Sequence, residues 1–375
     1  AAAGAAAVSA LMAPALAWHL CEASWVSCAL LNQRCCASLH SRRGLRPLAA
    51  ALPTTAPMGA PARRRLWRRL CLGAMVFGGE AGGGGYIELA CRPASADADI
   101  RRDLGRTFPE SLDEPAMEAL FRVLRAVSHR LEDIGYCQGM NFIAGVLLRV
   151  FGVRGFLGQH AAEAAQADAS EALVYRCVLS ILFRHGMNQY YGDRFPKLRL
   201  TALQFDCLVE SFLPDLSAAF EVFNLSADFY ATQWFLTLFS YSLPFPHVVR
   251  VWDQFLCRGM KFIHRVGLAL LREAQPTLLG LGFDDTVQRL RSLGQCSELS
   301  PEALVVAASE FKVTNRLLSE LERALLVAGP GDRSCNGGSC SGGRALPRCF
   351  PERDLDSGRT RWRLLPPTIV EGEQG

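Results

Sequence analysis

The sequence predicts an all-α protein, and three observations carry that prediction. Apolar residues recur at three- and four-residue spacing through most of the stretch from about Met58 to Val327. Alternating runs of strand type are scarce there. Half of the 375 residues are apolar, enough to bury a sizeable helical core.

Taken in order, residues 1–57 are rich in Ala, Pro and Arg without a sustained apolar period and read as a poorly ordered leader. Their first part is the nearest approach to a targeting segment, yet no basic residue precedes Arg34 and no apolar run reaches bilayer-spanning length. No transmembrane segment is therefore expected. A helix is expected in "GAPARRRLWRRLCLGA", with the arginines of "RRRLWRR" (63–69) on a solvated face. The glycine-rich "FGGEAGGGGY" that follows, Phe77 to Tyr86, lacks the Lys-Ser/Thr that a phosphate-binding loop requires, and reads as a flexible connection.

In "ADIRRDLGRTFPE", Ile100, Asp103 and Arg106 stand three apart along one face of a helical turn, with Arg106 just before Pro109 ends it. "SLDEPAMEALFRVLRAVSHRLEDIG" is the clearest helix. Asp113 suits the cap, Pro115 the first turn and Gly135 the stop, while Met117, Leu120, Phe121, Leu124, Val127 and Leu131 form one apolar stripe. "MNFIAGVLLRVF" is apolar almost all round and implies a helix buried on most sides. Further helices fit "SEALVYRCVLSILFRHG", "TALQFDCLVESFLPDLSAAFEVF", "ADFYATQWFLTLFSYS", "HVVRVWDQFLCRG", "FIHRVGLALLREAQPTLLG" and "LSELERALL". These divide into a half at about 58–151 and a half at about 170–325, joined by a connection at about 152–169, with a Gly-, Pro- and Ser-rich flexible tail at 326–375.

Composition excludes several function classes. A formal net charge of +4 is too small for a protein whose main partner is a polyanion, so no nucleic acid is expected. All the basic residues but Lys197, Lys261 and Lys312 are arginines, so a lone arginine carries little information. The 14 cysteines are scattered through apolar runs and read as reduced, mostly buried thiols. "CNGGSC", Cys335 to Cys340, lacks the second ligand pair of a zinc site.

The polar residues that call for a reason lie in "IGYCQGMNFIAG". There Gln138 sits between a cysteine and a glycine in a stretch otherwise of buried character. Alone, the Asp103–Arg106 spacing would describe a surface ion pair worth about 1 kcal/mol or less. Together, "IRRDLGRTFP", "GYCQGMNFIAG" and "SLPFPHVVRVWD" occur in an order that resembles the TBC domain, the helical GTPase-activating domain that acts on Rab-type small GTPases. The resemblance covers about residues 58–325 and includes the opening helix. It departs in a longer connection, "GVRGFLGQHAAEAAQADAS", and in Tyr175, where the family often has tryptophan.

The resemblance implies a two-lobed helical fold. It implies Arg106 as an arginine finger and Gln138 as a glutamine finger, both supplied in trans to a GTP-bound Rab-family GTPase. Asp103 would then orient Arg106, Tyr136 would fix the Gln138 loop by packing and a hydroxyl hydrogen bond, and Gly135 and Gly139 would let that loop turn tightly. Ile100, Phe108, Phe142 and Ile143 would be core support, and Trp234, Trp252 and Asp253 of the third signature mainly structural. No cofactor of its own is implied, since GTP and Mg²⁺ are held by the partner. The location implied is cytoplasmic, with peripheral attachment to endomembranes through the partner. The alternative on the same fold is a module that binds or recruits GTPases without catalysis.

Overall fold

The computed structural model describes residues 58–72, 85–153, 161–192, 195–328, 349–353 and 360–364, without the side chains of 161–170, of 327–328 and of the last two segments. The leader, most of the glycine-rich loop at 77–86 and the Cys335–Cys340 pair lie outside the described residues. All described residues belong to the unit running from Leu52 onward.

Among the described residues the first five helices are α1 (Ala60–Leu72), α2 (Tyr86–Cys91), α3 (Asp97–Leu104), α4 (Glu114–Arg130) and α5 (Met140–Phe151). Asp113 caps α4 as its sequence predicts, accepting from the Ala116 amide at 3.0 Å with proline in the first turn. The apolar stripe faces inward: Leu120, Leu124 and Val127 are fully buried. Burial of such side chains stabilises by roughly 1.5–3 kcal/mol each. α4 ends at Arg130, before Gly135; the left-handed Gly135 (φ 65°) instead shapes the loop beyond it. α5 is buried at every position from Met140 to Leu148, as its near-continuous apolar character requires.

The second half comprises α6 (Ala161–Arg184), a 3₁₀ turn (Met187–Tyr190), α7 (Pro196–Phe212), α8 (Pro214–Val222), α9 (Ala227–Tyr230), α10 (Thr232–Leu236), α11 (Phe245–Arg258), α12 (Met260–Leu278), α13 (Phe283–Ser292), α14 (Pro301–Glu310) and α15 (Asn315–Ala328). Three expectations change. The helix expected from about residue 170 begins at Ala161, because "AAEAAQADA" has high intrinsic helix propensity. The single helix expected over "TALQFDCLVESFLPDLSAAFEVF" is two, separated before Pro214, which has no amide proton and excludes its predecessor from helical geometry. "ADFYATQWFLTLFSYS" forms two short helices and then a turn in which Leu238 and Phe239 take positive φ of 51° and 65°. Outside the helices, Cys349–Arg353 and Thr360–Leu364 pair as an antiparallel two-stranded ladder.

Charged side chains tie the helices together. Arg125 on α4 makes paired hydrogen bonds to Asp97 on α3 at 2.9 and 2.8 Å. Glu171 on α6 is buried and accepts from Arg122 of α4 (2.7 and 3.0 Å) and from the Tyr86 hydroxyl of α2 (2.6 Å). The third signature supplies the strongest clamp. Asp253 on α11 is fully buried and accepts from the Trp67 indole at 2.8 Å, from Arg63 at 3.0 Å and from Arg250 at 3.2 Å. Trp67 also stacks on Trp252, with ring centroids 5.6 Å apart. The arginine-rich helix is therefore not solvated throughout: Arg64, Arg65 and Arg68 face solvent, while Arg63 docks α1 onto α11.

Candidate functional site

Two loops meet at the ends of α3 and α5. The first follows α3. The helix closes at Leu104, and a turn carries the chain on, with the Arg106 amide donating to Asp103 O at 3.1 Å and the Thr107 amide to Leu104 O at 3.0 Å. Arg106 thus lies in the turn beyond the helix rather than on its last turn: Gly105 keeps right-handed dihedrals (φ −62°, ψ −15°), but past Leu104 the amides bond three residues back instead of four, well before Pro109. Ile100, fully buried, anchors the helix to the core, and Asp103 is buried beside it.

Beyond Arg106, Phe108 takes a positive φ of 49° and sits half-buried edge-on to Phe142 of α5 (5.6 Å). Gly145 makes this approach possible. A Cβ there would meet the Phe108 ring at 2.9 Å and the Thr107 methyl at 3.0 Å.

The second loop leads into α5. Gly139 has a φ of 111° and is buried, and a Cβ would lie 3.4 Å from Leu236 O and 3.5 Å from the Tyr191 ring. Only glycine is comfortable there, so the loop rests directly on the α10 backbone. Tyr191, whose hydroxyl donates to Leu236 O at 2.6 Å, forms the wall. Gly135 also has positive φ, but a Cβ there would meet nothing within 4 Å, so its requirement is conformational alone. Trp234 and Trp252, both buried, support this floor; the Trp252 indole donates to Leu238 O at 3.0 Å.

The loops are tied to each other at two points. The Tyr136 hydroxyl donates to Asp103 Oδ2 at 2.7 Å, and the other carboxylate oxygen of Asp103 stands 3.8 Å from the Arg106 guanidinium. Asp103 thereby serves both loops. Separately, the Asn141 amide nitrogen donates to Thr107 Oγ1 at 2.8 Å while its oxygen accepts from the Gly139 amide at 2.9 Å. Thr107 and Asn141, both buried, have no place in the sequence expectations; an amide inside the apolar run "MNFIAG" is the signal that could have found Asn141, since a buried amide needs partners.

The side chains that remain are turned outward. Arg106 is 60% exposed, and its long ion pair to Asp103 contributes little to stability. Gln138 is exposed, and its amide makes no hydrogen bond with any described residue. Burial, reinforced by the hydrogen bond to Asp103, holds the Tyr136 phenol far above its usual pKa, so it remains a donor at every working pH. Burial, with the Asp103 charge nearby, pushes the Cys137 thiol up to about 11, which keeps it from being a nucleophile at neutral pH. The chemistry on offer is a bidentate guanidinium donor and a neutral amide, each exposed on one of two loops that are braced to each other. Among the described residues no group of three or more His, Cys, Asp and Glu side chains could hold a metal ion.

The profile described as the Rab-GTPase-TBC domain matches residues 88–279, just over half of the chain. The chain belongs to the Rab-GTPase-TBC domain family. Both loops of the site and the third signature lie inside the matched region of this TBC-family protein.

Among its curated relatives, the human ecotropic viral integration site 5 protein homolog is 30% identical over 245 residues, covering 64% of this chain and 28% of that protein. The Rab GTPase-activating protein eat-17 of Caenorhabditis elegans is 30% identical over 234 residues, covering 61% of this chain and 24% of that protein. The TBC-family chain thus spans less than a third of the length of either relative. The flagellar RabGAP TBC domain of Chlamydomonas superposes with a TM-score of 0.51 at 24% identity, covering 67% of this chain and 80% of that one, and shows the shared all-α fold. Among the described residues no helix is long and apolar enough to cross a membrane.

Proposed function

We propose that this protein accelerates GTP hydrolysis by a Rab-family small GTPase, supplying Arg106 and Gln138 in trans to the nucleotide and Mg²⁺ that the GTPase carries. The observation that supports this most directly is the pair of outward-facing side chains on loops braced from behind by Asp103, Tyr136, Thr107 and Asn141. The name of the nematode relative points the same way.

Hydrolysis of GTP transfers the γ-phosphoryl group to water, with charge developing on the transferring and leaving oxygens; catalysis is chiefly positioning and charge stabilisation. The Arg106 guanidinium neutralises that charge through two parallel N–H donors. The Gln138 amide accepts from the attacking water and donates toward the phosphate, which aims the water without adding charge. Gln138 thus takes the part otherwise played by a glutamine of the GTPase. An arginine finger is typically worth about 10³ to 10⁵ in rate, or roughly 4–7 kcal/mol of barrier. The protein on this reading works in the cytoplasm, reaches endomembranes through its partner and regulates vesicle traffic.

The test is single-turnover phosphate release from a panel of GTP-loaded Rab-family GTPases with the parent protein, Arg106→Ala and Gln138→Ala. Stimulation of one or a few GTPases that falls by orders of magnitude in both variants supports the reading. GTP-dependent binding with no change in hydrolysis rate would replace it with recruitment on the same fold.

A further inference from the structure

We infer that Thr107 and Asn141 are positioning residues that lock the Arg106 and Gln138 loops into one unit, so that the two side chains reach a bound nucleotide in fixed register. The inference rests on the reading of Arg106 and Gln138 given above. It concerns two residues that are buried behind the exposed side chains of Arg106 and Gln138.

The argument is one of donors and acceptors. The Thr107 hydroxyl donates its single proton to Asp103 O at 2.8 Å, inside the turn that presents Arg106. Its oxygen can then only accept, so a partner from the other loop must be a donor. The Gly139 amide, next to Gln138, has the opposite need and requires an acceptor. Asn141 meets both at once, donating an Nδ2 proton to Thr107 Oγ1 (2.8 Å) and accepting at Oδ1 from the Gly139 amide (2.9 Å). An ionised aspartate would satisfy Gly139 but offer Thr107 no proton; leucine would satisfy neither.

All three bonds are buried, with Thr107 at 0% and Asn141 at 1% exposure, so water cannot substitute for a lost partner without opening the packing. Packing defines the position further. α5 carries glycine at 145, and any side chain there would push on the Thr107 methyl and the Phe108 ring. The chain Asp103–Thr107–Asn141–Gly139 thus runs from the arginine turn to the glutamine loop without a gap. It shares Asp103 with the Tyr136 link but uses that residue's backbone carbonyl rather than its carboxylate, and it meets the second loop at Gly139 rather than at Tyr136.

The experiment measures kcat and KM for stimulated hydrolysis with full-length parent protein, Thr107→Val, Thr107→Ser and Asn141→Asp, each also in the Gln138→Ala background. Thr107→Val keeps the shape and loses the hydroxyl, while Thr107→Ser keeps the hydroxyl. The expected result is a fall in kcat of roughly 10- to 100-fold in Thr107→Val and Asn141→Asp, the size of loss that misplacing a reacting group by about 1 Å produces. KM should stay within about twofold, and Thr107→Ser should restore kcat to within a few-fold. In the Gln138→Ala background the further loss from Thr107→Val should shrink to a few-fold, because one of the groups it positions is already gone.

A full, multiplicative loss in that background, or an unchanged kcat in Thr107→Val, overturns the inference. Should Thr107→Val not fold, Asn141→Asp and amide hydrogen exchange at Gly139 decide, the inference requiring loss of both protection and kcat. If the parent stimulates no GTPase, or Arg106→Ala matches the parent, the underlying reading has failed, and this inference fails with it.

Discussion

Replacing Tyr136 by phenylalanine removes one oxygen and tests how Asp103 is held. The phenol donates to Asp103 Oδ2 at 2.7 Å, a short bond to a carboxylate in a residue only 6% exposed. Hydrogen bonds to charged groups contribute about 1.5–3 kcal/mol, more than neutral ones, and the phenylalanine ring replaces the bond with nothing polar. The second partner of the carboxylate, Arg106 at 3.8 Å and 60% exposed, is too distant and too solvated to compensate. A loss of about 2 kcal/mol corresponds to a fall in Tm of roughly 4–8 °C for a domain of this size. Activity should fall less than in either finger variant, by about tenfold or less, because the Thr107–Asn141 connection still holds the loops together. Thermal unfolding followed by circular dichroism and single-turnover phosphate release read the two effects. If both Tm and kcat match the parent, Asp103 is held by something other than Tyr136 and the account of the bracing is wrong.

Three further predictions follow from the same geometry. Gly139→Ala forces a side chain into φ 111° against Leu236 O and should cost about 1–3 kcal/mol in urea unfolding, whereas Gly135→Asn, in open space at φ 65°, should cost well under 1 kcal/mol. Asp253→Ala leaves Arg63, Arg250 and the Trp67 indole without their shared acceptor and should destabilise by about 3–5 kcal/mol, with Arg63→Ala milder because Asp253 keeps two partners; equal effects would refute the hub. His264 is fully buried and its pKa is lowered to about 4 by desolvation, so the folded state favours the neutral ring. Its contribution is present above the unfolded-state value of 6.5 and is lost as pH falls from 6.5 toward 4, by up to about 3 kcal/mol; urea midpoints should drop across that window, and His264→Phe should flatten the drop.

Where burial follows simple spacing, the sequence was informative. The stripe from Leu120 to Val127, the Asp113 cap and the all-round burial of Met140 to Leu148 all occur where the period and cap chemistry place them. It was uninformative where tertiary contacts override local preference. Leu238 and Phe239 leave helical geometry so that Leu238 O can meet the Trp252 indole, and nothing in "TQWFLTLFSYS" signals that. The helices Phe283–Ser292 and Pro301–Glu310 are not among those the spacing predicts; the first buries only Thr286 and Leu290, too few positions to give a readable period. At the site, the sequence sets Gln138 apart as a polar residue in buried company, yet it is exposed and the buried amide is Asn141, three residues on. Linear patterns identify a polar residue out of place but do not say which of two neighbours turns inward.

The Asp253 clamp also bears on where this domain begins. The family match starts at residue 88, but the electrostatic boundary lies upstream, at Arg63. A fragment starting after Leu72 would retain the loops that carry Arg106 and Gln138 and the third signature. It would nonetheless strand a buried carboxylate with Arg250 alone and open the Trp252 face that Trp67 covers. Such a form would keep the motifs from Ile100 onward and yet unfold more readily than the parent.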